Sequence, residues 1–376
     1  MNSIQMVDLK KQYSAIKAEV DAAVLDVLDS TMFVGGPRVK GFAEHLEKYL
    51  DVKHVIPCAN GTDALQIAMM ALGLKPGDEV ITPSFTYIAT TEVMALLNLQ
   101  PVFVEVDKQT FCIDPEAIRK AITPKTKAIV PVHLYGHAAP MEEIMQIAKE
   151  HDLFVIEDNA QAIGGEYKFK DGTTKKNGTI GQIGCTSFYP GKNLGCYGDG
   201  GAMFTNDDSL AETLRMIANH GQKTRYYHDI VGCNSRLDAI QAAILDIKLP
   251  HLEEYISART RAADKYDAGL KDHAKITTPY RASYCKHVFH QYTILVENTK
   301  RDALHTFLAD NAIPSMIYYP VPAHRQKMFE AFGGANYVLP VTDWLTERVI
   351  SLPMHPELEA DQQEFIISKV LEFLNR

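Results

Sequence analysis

Short runs of β-branched and other apolar residues alternate with longer amphipathic stretches between residues 54 and 158. The apolar runs cover residues 54–59, 79–82, 102–106, 128–132 and 154–157. The stretches between them have a helical spacing of apolar positions and cover residues 62–72, 86–97, 114–122 and 141–150. Regular alternation of this kind is typical of βαβ units. The pattern therefore predicts a mostly parallel sheet with helices packed against it.

Beyond residue 158 the same pattern continues, and it changes at Pro250. We predict strands at 185–189 and 202–205 and helices at 208–220 and 237–249, with Pro250 ending the last helix. After Pro250 the sequence predicts strands at 292–296 and 317–319 and helices at 301–311 and 361–375. These elements predict a large α/β domain, residues 1–250, followed by a smaller α+β domain, residues 251–376.

The composition of the 376-residue chain is that of a globular protein, with 46% apolar and 23% charged residues. Its formal net charge of −9 argues against a nucleic-acid or anionic-membrane partner, since such partners require a basic surface. No window approaches the roughly 18 apolar residues of a membrane span, and the first residues contain no signal-peptide core. The six cysteines form no C-x-x-C pair, which is typical of reduced thiols. We therefore expect a cytoplasmic protein.

The stretch from residue 185 to residue 201 places a single lysine in a glycine-rich loop. A β-prone run ends at Pro190-Gly191, Lys192 follows, and glycines recur at positions 195, 198, 200 and 201. Proline and glycine end regular structure and let the backbone approach a ligand closely. A desolvated lysine in such a loop can act as a Schiff-base nucleophile. A solvated loop lysine is the alternative, and residues upstream of Lys192 bear on the choice.

Two other kinds of site are not supported by the sequence. A phosphate-binding P-loop around Gly191-Lys192 would need glycine at position 186 and serine or threonine at position 193, where the chain has Thr186 and Asn193. A helical zinc pair at His133 and His137 is disfavoured because Tyr135-Gly136 interrupts the stretch between them. We therefore expect no metal.

Three segments upstream of Lys192 each follow a predicted strand and carry polar or aromatic side chains. Residues 59–65 contain an Asn-Gly turn and Thr62 as a candidate N-cap, which indicates either an anion site or a capped helix. Asp158 ends a buried strand and could pair with a protonated heterocyclic nitrogen or cap a helix. Tyr87 offers an aromatic face to a site or belongs to the core. Because ligands of open α/β sheets bind at the carboxyl ends of strands, we expect these segments to share one edge.

A phosphate cradle, a carboxylate, an aromatic ring, a loop lysine and Ser187 together describe a pyridoxal phosphate site. Their order resembles that of fold type I transferases and, more closely, the DegT/DnrJ/EryC1/StrS sugar aminotransferase family. The matching motifs lie at 60–65, 76–83, 157–161, 187–201, 234–238 and 351–353. The resemblance implies a large domain with a mostly parallel mixed sheet flanked by helices, plus a smaller α+β C-terminal domain. It also implies pyridoxal 5′-phosphate as cofactor and pyridoxamine 5′-phosphate as its intermediate form.

The resemblance assigns a role to each matching residue around the cofactor. Lys192 would carry the cofactor on its amine and move the proton during catalysis, and Asp158 would pair with the pyridine nitrogen. Gln161 would bond near the phenolic oxygen, and Tyr87 would stack on the ring. The phosphate would be held by Gly61, Thr62 and Ser187 and by Asn234 of the partner subunit. A homodimer with shared active sites is therefore expected.

The same resemblance implies that His220, Arg236, Tyr318 and Tyr319 bind a nucleotide-linked keto sugar. For the run 220–228, a solvated polar loop is the alternative. The sequences of residues 195–202 and 351–356 are most similar to those of enzymes that aminate UDP-2-acetamido-2-deoxy-3-oxo-glucuronate at carbon 3. Such enzymes serve the synthesis of surface polysaccharide such as O-antigen. Residues 190–193 are more similar to 3-aminotransferases acting on dTDP-3-oxo-6-deoxyhexoses, and Tyr318 stands where the uronate enzymes have histidine.

The implied reaction has two halves, in which L-glutamate leaves as 2-oxoglutarate and the keto sugar then receives the amino group. Ping-pong kinetics are expected from that order. Related dehydratases replace the lysine with histidine, so Lys192 argues against dehydration. Amination at carbon 4 and a regulatory sensor that keeps the fold without turnover are the remaining alternatives.

Overall fold

The computed structural model describes residues 3–297 and 300–376. Its α-helices are α1 Leu9–Ser30, α2 Gly36–Leu50, α3 Gly61–Ala71, α4 Ala89–Leu96, α5 Pro115–Ala121, α6 Met141–His151, α7 Asp208–Ala218, α8 Ala239–Lys248, α9 Leu252–Leu270, α10 Arg301–Asp310, α11 Pro340–Thr346 and α12 Ala360–Leu374. Its strands are β1 His54–Cys58, β2 Glu79–Pro83, β3 Gln100–Val104, β4 Thr126–Ile129, β5 Phe154–Asp158, β6 Glu166–Lys168, β7 Thr174–Lys176, β8 Ile183–Ser187, β9 Gly201–Thr205, β10 Gln222–Thr224, β11 Tyr227–His228, β12 Ile276–Thr277, β13 Cys285–Lys286, β14 Tyr292–Val296 and β15 Val349–Leu352.

The central sheet has seven strands in the order β1-β9-β8-β5-β4-β2-β3, and only β9 runs against the others. Its strands are nearly continuous buried runs, as expected for a sheet covered on both faces. The mostly parallel mixed sheet flanked by helices confirms the predicted fold class. In the register of the sheet, Asp158 lies beside Cys185 and Ser187 beside Gly201. The carboxyl ends of β5 and β8 therefore meet at one edge.

Two large apolar clusters cover the two faces of this sheet. One contains residues of α3, α7 and the strand side chains that face them, such as Leu65, Leu214 and Ile183. The other contains Ile81, Ile129 and Val155 and the apolar residues of α6. The sheet is thus fixed from both sides, and its strand ends supply a rigid base for the side chains that follow them.

The C-terminal part contains the antiparallel sheet β12-β14-β15, packed against α9, α10 and α12. This part is α+β, as the sequence predicts. It also contacts the rest of the chain closely, because β13 pairs with β6 and Leu295 and Val349 belong to a cluster of the central sheet. The division into domains at residue 250 stays a prediction.

The structure corrects several of the predicted elements. The strand predicted at 317–319 is wrong: only Met316 forms a bridge, to Ser351, and the residues after it have no regular structure. The helix predicted from residue 86 begins at Ala89, which leaves residues 86–88 in a loop. Pro250 ends α8, but a short 3-10 turn leads directly into α9. Helices α1 and α2 were not predicted.

Two findings bear on the predicted environment of the protein. No helix within residues 3–297 and 300–376 is long and apolar enough to cross a membrane. The same residues hold no group of three or more His, Cys, Asp or Glu side chains that could bind a metal ion.

One aromatic contact ties the loop that carries Lys192 to the N-terminal helices. Phe188 follows the last residue of β8, and its ring meets Phe42 of α2 edge to face, with centroids 5.5 Å apart. Both side chains are fully buried. Phe42→Ala should therefore lower the free energy of unfolding by about 3–5 kcal/mol, as large-to-small core substitutions do.

Denaturant unfolding followed by circular dichroism would measure this loss. Phe154→Ala is the matched control, because Phe154 is 38% exposed and its truncation should cost less. Equal losses for the two variants would contradict the assignment of Phe42 to a core that supports the site.

Candidate active site

A cavity of about 800 Å³ opens at the carboxyl edge of the central sheet. The loops after β2, β5 and β8 and the start of α3 line it, together with two segments of the C-terminal part. Nine of the predicted site residues line this cavity: Gly61, Thr62, Tyr87, Asp158, Gln161, Ser187, Lys192, Tyr318 and Tyr319. Elements far apart in sequence thus converge at the edge where α/β sheets bind ligands.

One end of the cavity is formed by the start of α3 and the end of β8. Asn60, not Thr62, is the N-cap of α3, and its side chain accepts a hydrogen bond from the backbone N–H of Asp63 at 2.8 Å. The predicted cap at Thr62 is therefore wrong, because Asn60 already satisfies that position. Among the described residues, the N–H groups of Gly61 and Thr62 have no protein acceptor. They are free to bind an anion at a helix N-terminus.

Gly61 is required by the close approach of α3 to β8. A Cβ atom at position 61 would lie 2.7 Å from the Cβ of Ser187, closer than real side chains pack. The glycine thus brings the hydroxyl of Ser187 beside the free N–H groups of α3. Together these groups form a compact cradle of donors for a phosphate.

Asp158 also lines the cavity, at the end of β5 beside β8, and is only 5% exposed. One carboxylate oxygen accepts from the hydroxyl of Thr90 at 2.7 Å and the other accepts from the N–H of Ala160 at 3.1 Å. The Thr90 hydroxyl is in turn 3.0 Å from that of Thr86. Asp158 does not cap a helix, since a turn rather than a helix follows it. Its orientation is fixed, and each oxygen keeps capacity for a further donor.

Glu157 faces away from the cavity, as the alternation of side chains along a strand requires. Its carboxylate is fully buried and accepts from Nε2 of His133 at 2.9 Å and from the N–H groups of Gly178, Ile180 and Gly181. Nδ1 of His133 accepts from the N–H of Ala139 at 3.0 Å, so the proton lies on Nε2. Of the two neighbouring acids, only Asp158 serves the site.

Lys192 enters the cavity from the turn that follows β8, with its N–H bonded to the carbonyl of Tyr189. Burial lowers the pKa of its amine to about 8, because desolvation disfavours the ammonium ion, and the charge of Asp158 opposes this effect. A lysine with such a pKa is present as the neutral amine in part near neutral pH. The buried environment therefore provides the nucleophile that the sequence predicts.

Gln161 joins the cofactor side of the cavity to the C-terminal part. Its Oε1 accepts from the N–H of Tyr135 at 2.6 Å, and its Nε2 donates to the hydroxyl of Tyr319 at 2.9 Å. The Tyr135 hydroxyl donates to the carbonyl of Tyr318. Tyr318 and Tyr319, which we call the tyrosine wall, are thereby held over the cavity. The second proton on Nε2 of Gln161 remains available to a ligand.

Tyr87 is a cavity residue and not part of the core. Its side chain is 55% exposed, and its ring lies 5.9 Å from that of Tyr319. Tyr87 and the tyrosine wall therefore flank the same opening, where a planar ligand ring could lie against the face of Tyr87.

Three of the predicted residues lie outside this cavity. Asn234 and Arg236 are exposed and line a neighbouring pocket of about 440 Å³, which shares Asp199 with the Lys192 cavity. His220 is exposed, lines neither of these two pockets, and has a positive φ of 58°. The run that follows it forms the exposed hairpin β10–β11. Within one chain, these residues do not join the group around Lys192.

The structure adds residues that sequence reasoning missed. Thr90 supports Asp158, Tyr135 supports Gln161, and His290 and Gln291 line the cavity from the start of β14. Burial, with the nearby charges of Lys192 and Arg259, holds the pKa of His290 well below its usual value. We found no motif in the sequence that marks any of these four residues.

The arrangement fits pyridoxal phosphate on structural grounds. A cradle of free N–H groups with Ser187, a carboxylate of fixed orientation and an amine of lowered pKa line the same cavity. A phosphate, a pyridine nitrogen and an aldehyde carbon are the chemical partners that these groups would take.

Comparison with known proteins identifies the family. The model of the DegT/DnrJ/EryC1/StrS aminotransferase family matches residues 14–371. The chain belongs to this family. It is 46% identical over 356 residues to the UDP-2-acetamido-2-deoxy-3-oxo-D-glucuronate aminotransferase of Pseudomonas aeruginosa, covering 95% of this chain and 96% of that protein.

Two further relatives are similar over their whole length. A protein of Geobacillus stearothermophilus named as a pleiotropic regulatory protein is 45% identical over 373 residues, covering 99% of this chain and 98% of that one. The crystal structure of S. venezuelae DesV has a TM-score of 0.94 at 40% identity and covers 100% of both chains.

These findings confirm the predicted enzyme class and cofactor. The protein is a sugar-nucleotide aminotransferase that uses pyridoxal 5′-phosphate, as the aminotransferases of this family do; solved relatives include the pyridoxamine phosphate form. The roles of the individual site residues stay predictions that the geometry described above supports.

The charge of Asp158 should raise the pKa of Lys192 against the larger effect of burial. In protein stripped of cofactor, the rate of Lys192 acetylation should rise with pH around a midpoint near 8. Asp158→Asn should lower that midpoint, because loss of the carboxylate charge destabilises the ammonium ion. Acetylation by acetic anhydride, followed by peptide mass spectrometry, would give the midpoint.

Asp199→Asn is the matched control, since Asp199 lines the same cavity while the charge that acts on the pKa of Lys192 is that of Asp158. It should leave the midpoint unchanged. A wild-type midpoint near the ordinary lysine value of about 10.4 would contradict the burial of the amine.

Proposed function

We propose that the protein transfers the amino group of L-glutamate to carbon 3 of a nucleotide-linked 3-oxo sugar, with UDP-2-acetamido-2-deoxy-3-oxo-D-glucuronate as the substrate, for the synthesis of a surface polysaccharide such as O-antigen. The similarity to the Pseudomonas aeruginosa enzyme, at 46% identity over nearly the whole of both chains, carries this proposal. The cavity of about 800 Å³ is also larger than the cofactor needs and leaves space for a sugar.

The cofactor, when bound, supplies an electron sink for the carbanion formed when the amino acid loses its α-proton. Lys192 accepts and returns that proton at its Nζ atom, since a pKa of about 8 lets the amine do both near neutral pH. Asp158 holds a proton on the pyridine nitrogen through a charge-assisted hydrogen bond. The cradle of Gly61, Thr62 and Ser187 fixes the phosphate.

We further infer that the working form is a homodimer in which the partner subunit completes the site. Asn234 and Arg236 are exposed next to the Lys192 cavity, where a second chain could accept them. The apolar side chain of Val34 lines the same pocket and is 58% exposed. Burying such a surface favours association. The cytoplasmic location stays a prediction.

Tyr318 supports a second candidate substrate. Tyr318 has a phenol where the uronate enzymes are expected to have the imidazole of histidine. Among the described residues, Lys192 is the only cationic side chain that lines the cavity. A dTDP-3-oxo-6-deoxyhexose has no carboxylate to neutralise and would suit such a wall. Offering the two keto sugars together, with a nucleotide-linked 4-oxo sugar as a third, would rank them by kcat/KM.

Replacement of Lys192 should separate an enzyme from a sensor. The wild-type protein with cofactor should lose its visible absorption band on addition of L-glutamate and regain it with 2-oxoglutarate. Lys192→Ala should abolish turnover, because no other cavity residue is placed to move the α-proton. Lys127→Ala, at an exposed position of β4, should behave like the wild type.

Two outcomes would count against the enzyme. Near-normal turnover by Lys192→Ala would overturn the role of that residue. A wild-type band that L-glutamate leaves unchanged would exclude this donor and favour the sensor alternative. That alternative is considered because the Geobacillus relative is named as a regulatory protein.

Mixing two inactive variants should test whether sites are shared. If each site uses Lys192 of one chain and Asn234 of the other, a heterodimer of Lys192→Ala and Asn234→Leu contains one intact site. Random reassociation would then restore about a quarter of wild-type activity, because half of the dimers are mixed and each has one good site. Activity no higher than that of the separate variants would indicate that the chain does not share its sites in this way.

A further inference from the structure

A serine and a histidine that the reaction does not use are bonded to each other beside the cavity. Ser84 directly follows β2, and His324 lies in the 3-10 turn Ala323–Arg325. The Ser84 hydroxyl oxygen is 2.7 Å from Nδ1 of His324 and accepts from the His324 N–H at 3.1 Å. The Ser84 carbonyl accepts from the N–H of Ala323 at 2.9 Å. We call these three bonds the Ser84–His324 link.

The surroundings of His324 favour a neutral imidazole whose Nδ1 accepts from Ser84. Nε2 of His324 lies 3.8 Å from a carboxylate oxygen of Asp343, which favours the tautomer with its proton on Nε2. Nδ1 then accepts from the Ser84 O–H. Burial lowers the pKa of His324. The carboxylates of Asp343 and Glu105 raise the pKa and Arg325 lowers it. His324 is therefore neutral, and the link is intact, at neutral pH.

The link joins the two sides of the cavity opening. Ser84 lies three residues before Tyr87, and His324 lies five residues after Tyr319. The segment from Tyr318 to His324 is held at its start by Tyr135 and Gln161. The Ser84–His324 link holds its other end, so the tyrosine wall is fixed at both ends.

Neither linked residue can contact a ligand. Ser84 is 0% and His324 1% exposed, and neither lines the cavity. We propose that His324, through its bond to Ser84, is a positioning residue that sets the distance between the tyrosine wall and Tyr87 and thereby the binding of the sugar-nucleotide substrate. This inference rests on the proposed function, since it concerns the sugar that the wall would bind.

The test compares three variants of the holoenzyme. His324→Leu removes the acceptor at Nδ1. His324→Asn replaces it with an amide oxygen, which can accept from the Ser84 hydroxyl at nearly the same position. His305→Leu is the matched control. Nδ1 of His305 lies 2.8 Å from the Ser315 hydroxyl oxygen, and neither residue lines the cavity. Ser84→Ala cuts the same link from the other side and serves if His324→Leu does not fold.

His324→Leu should raise KM for the keto-sugar nucleotide about tenfold and change kcat less than about threefold, as expected when binding to ground state and transition state is lost equally. His324→Asn should return KM to within about threefold of the wild type, and His305→Leu should leave it unchanged. A role in folding alone would lower stability without this split between KM and kcat, and without rescue by asparagine.

Hydrogen exchange provides a readout that does not depend on the sugar. In the holoenzyme, backbone amides of residues 316–326 should exchange at least about tenfold faster in His324→Leu than in the wild type or His305→Leu. Unchanged exchange, or an unchanged KM, would overturn the inference. Failure of the proposed function would show separately, as a wild-type spectrum that L-glutamate does not alter.

Discussion

The chemistry of this site depends on the balance between two effects on one amine. Burial removes water from Lys192 and favours its neutral form, while the carboxylate of Asp158 favours the ammonium ion. A more buried lysine without the acid would have a lower pKa, and an exposed lysine would stay charged. The position of Asp158 therefore affects the chemistry of Lys192, and neighbouring residues fix that position.

The fixing of Asp158 begins in the sheet and continues into neighbouring elements. Parallel pairing of β5 with β8 brings the acid to the edge where the Lys192 loop starts. Thr90 of α4 then orients the carboxylate, and the buried pair of Glu157 and His133 anchors the strand end from the other face. Each interaction is local, but together they leave the acid one orientation.

The sequence predicts features that are encoded locally. The strands and helices between residues 54 and 158 follow from their own hydrophobic periods, and the motifs around Gly61, Asp158 and Lys192 follow those strands directly. The fold class, the edge of the sheet at which the cavity opens and nine of the residues that line the cavity could therefore be predicted. Thr62 was misjudged because Asn60, two residues earlier, is an equally good cap and satisfies the helix first.

Features that depend on tertiary contacts could not be predicted from local patterns in the sequence. His290 lines the cavity and Tyr135 supports Gln161, and both come from elements without a motif. Residues 317–319 look like a strand but are held by hydrogen bonds to Tyr135 and Gln161. Placing Asn234, Arg236 and His220 would require a second chain, which a single sequence does not describe.

The reversed direction of β9 has a consequence for motion. Because β9 runs against β8, the loop that carries Lys192 leaves the sheet at Ser187 and returns beside it at Gly201, where the two residues are paired. Its ends cannot separate without breaking the ladder. A reactive residue on an open loop would move with the loop, whereas here its movement is limited to that of a closed loop whose two ends are paired in the central sheet.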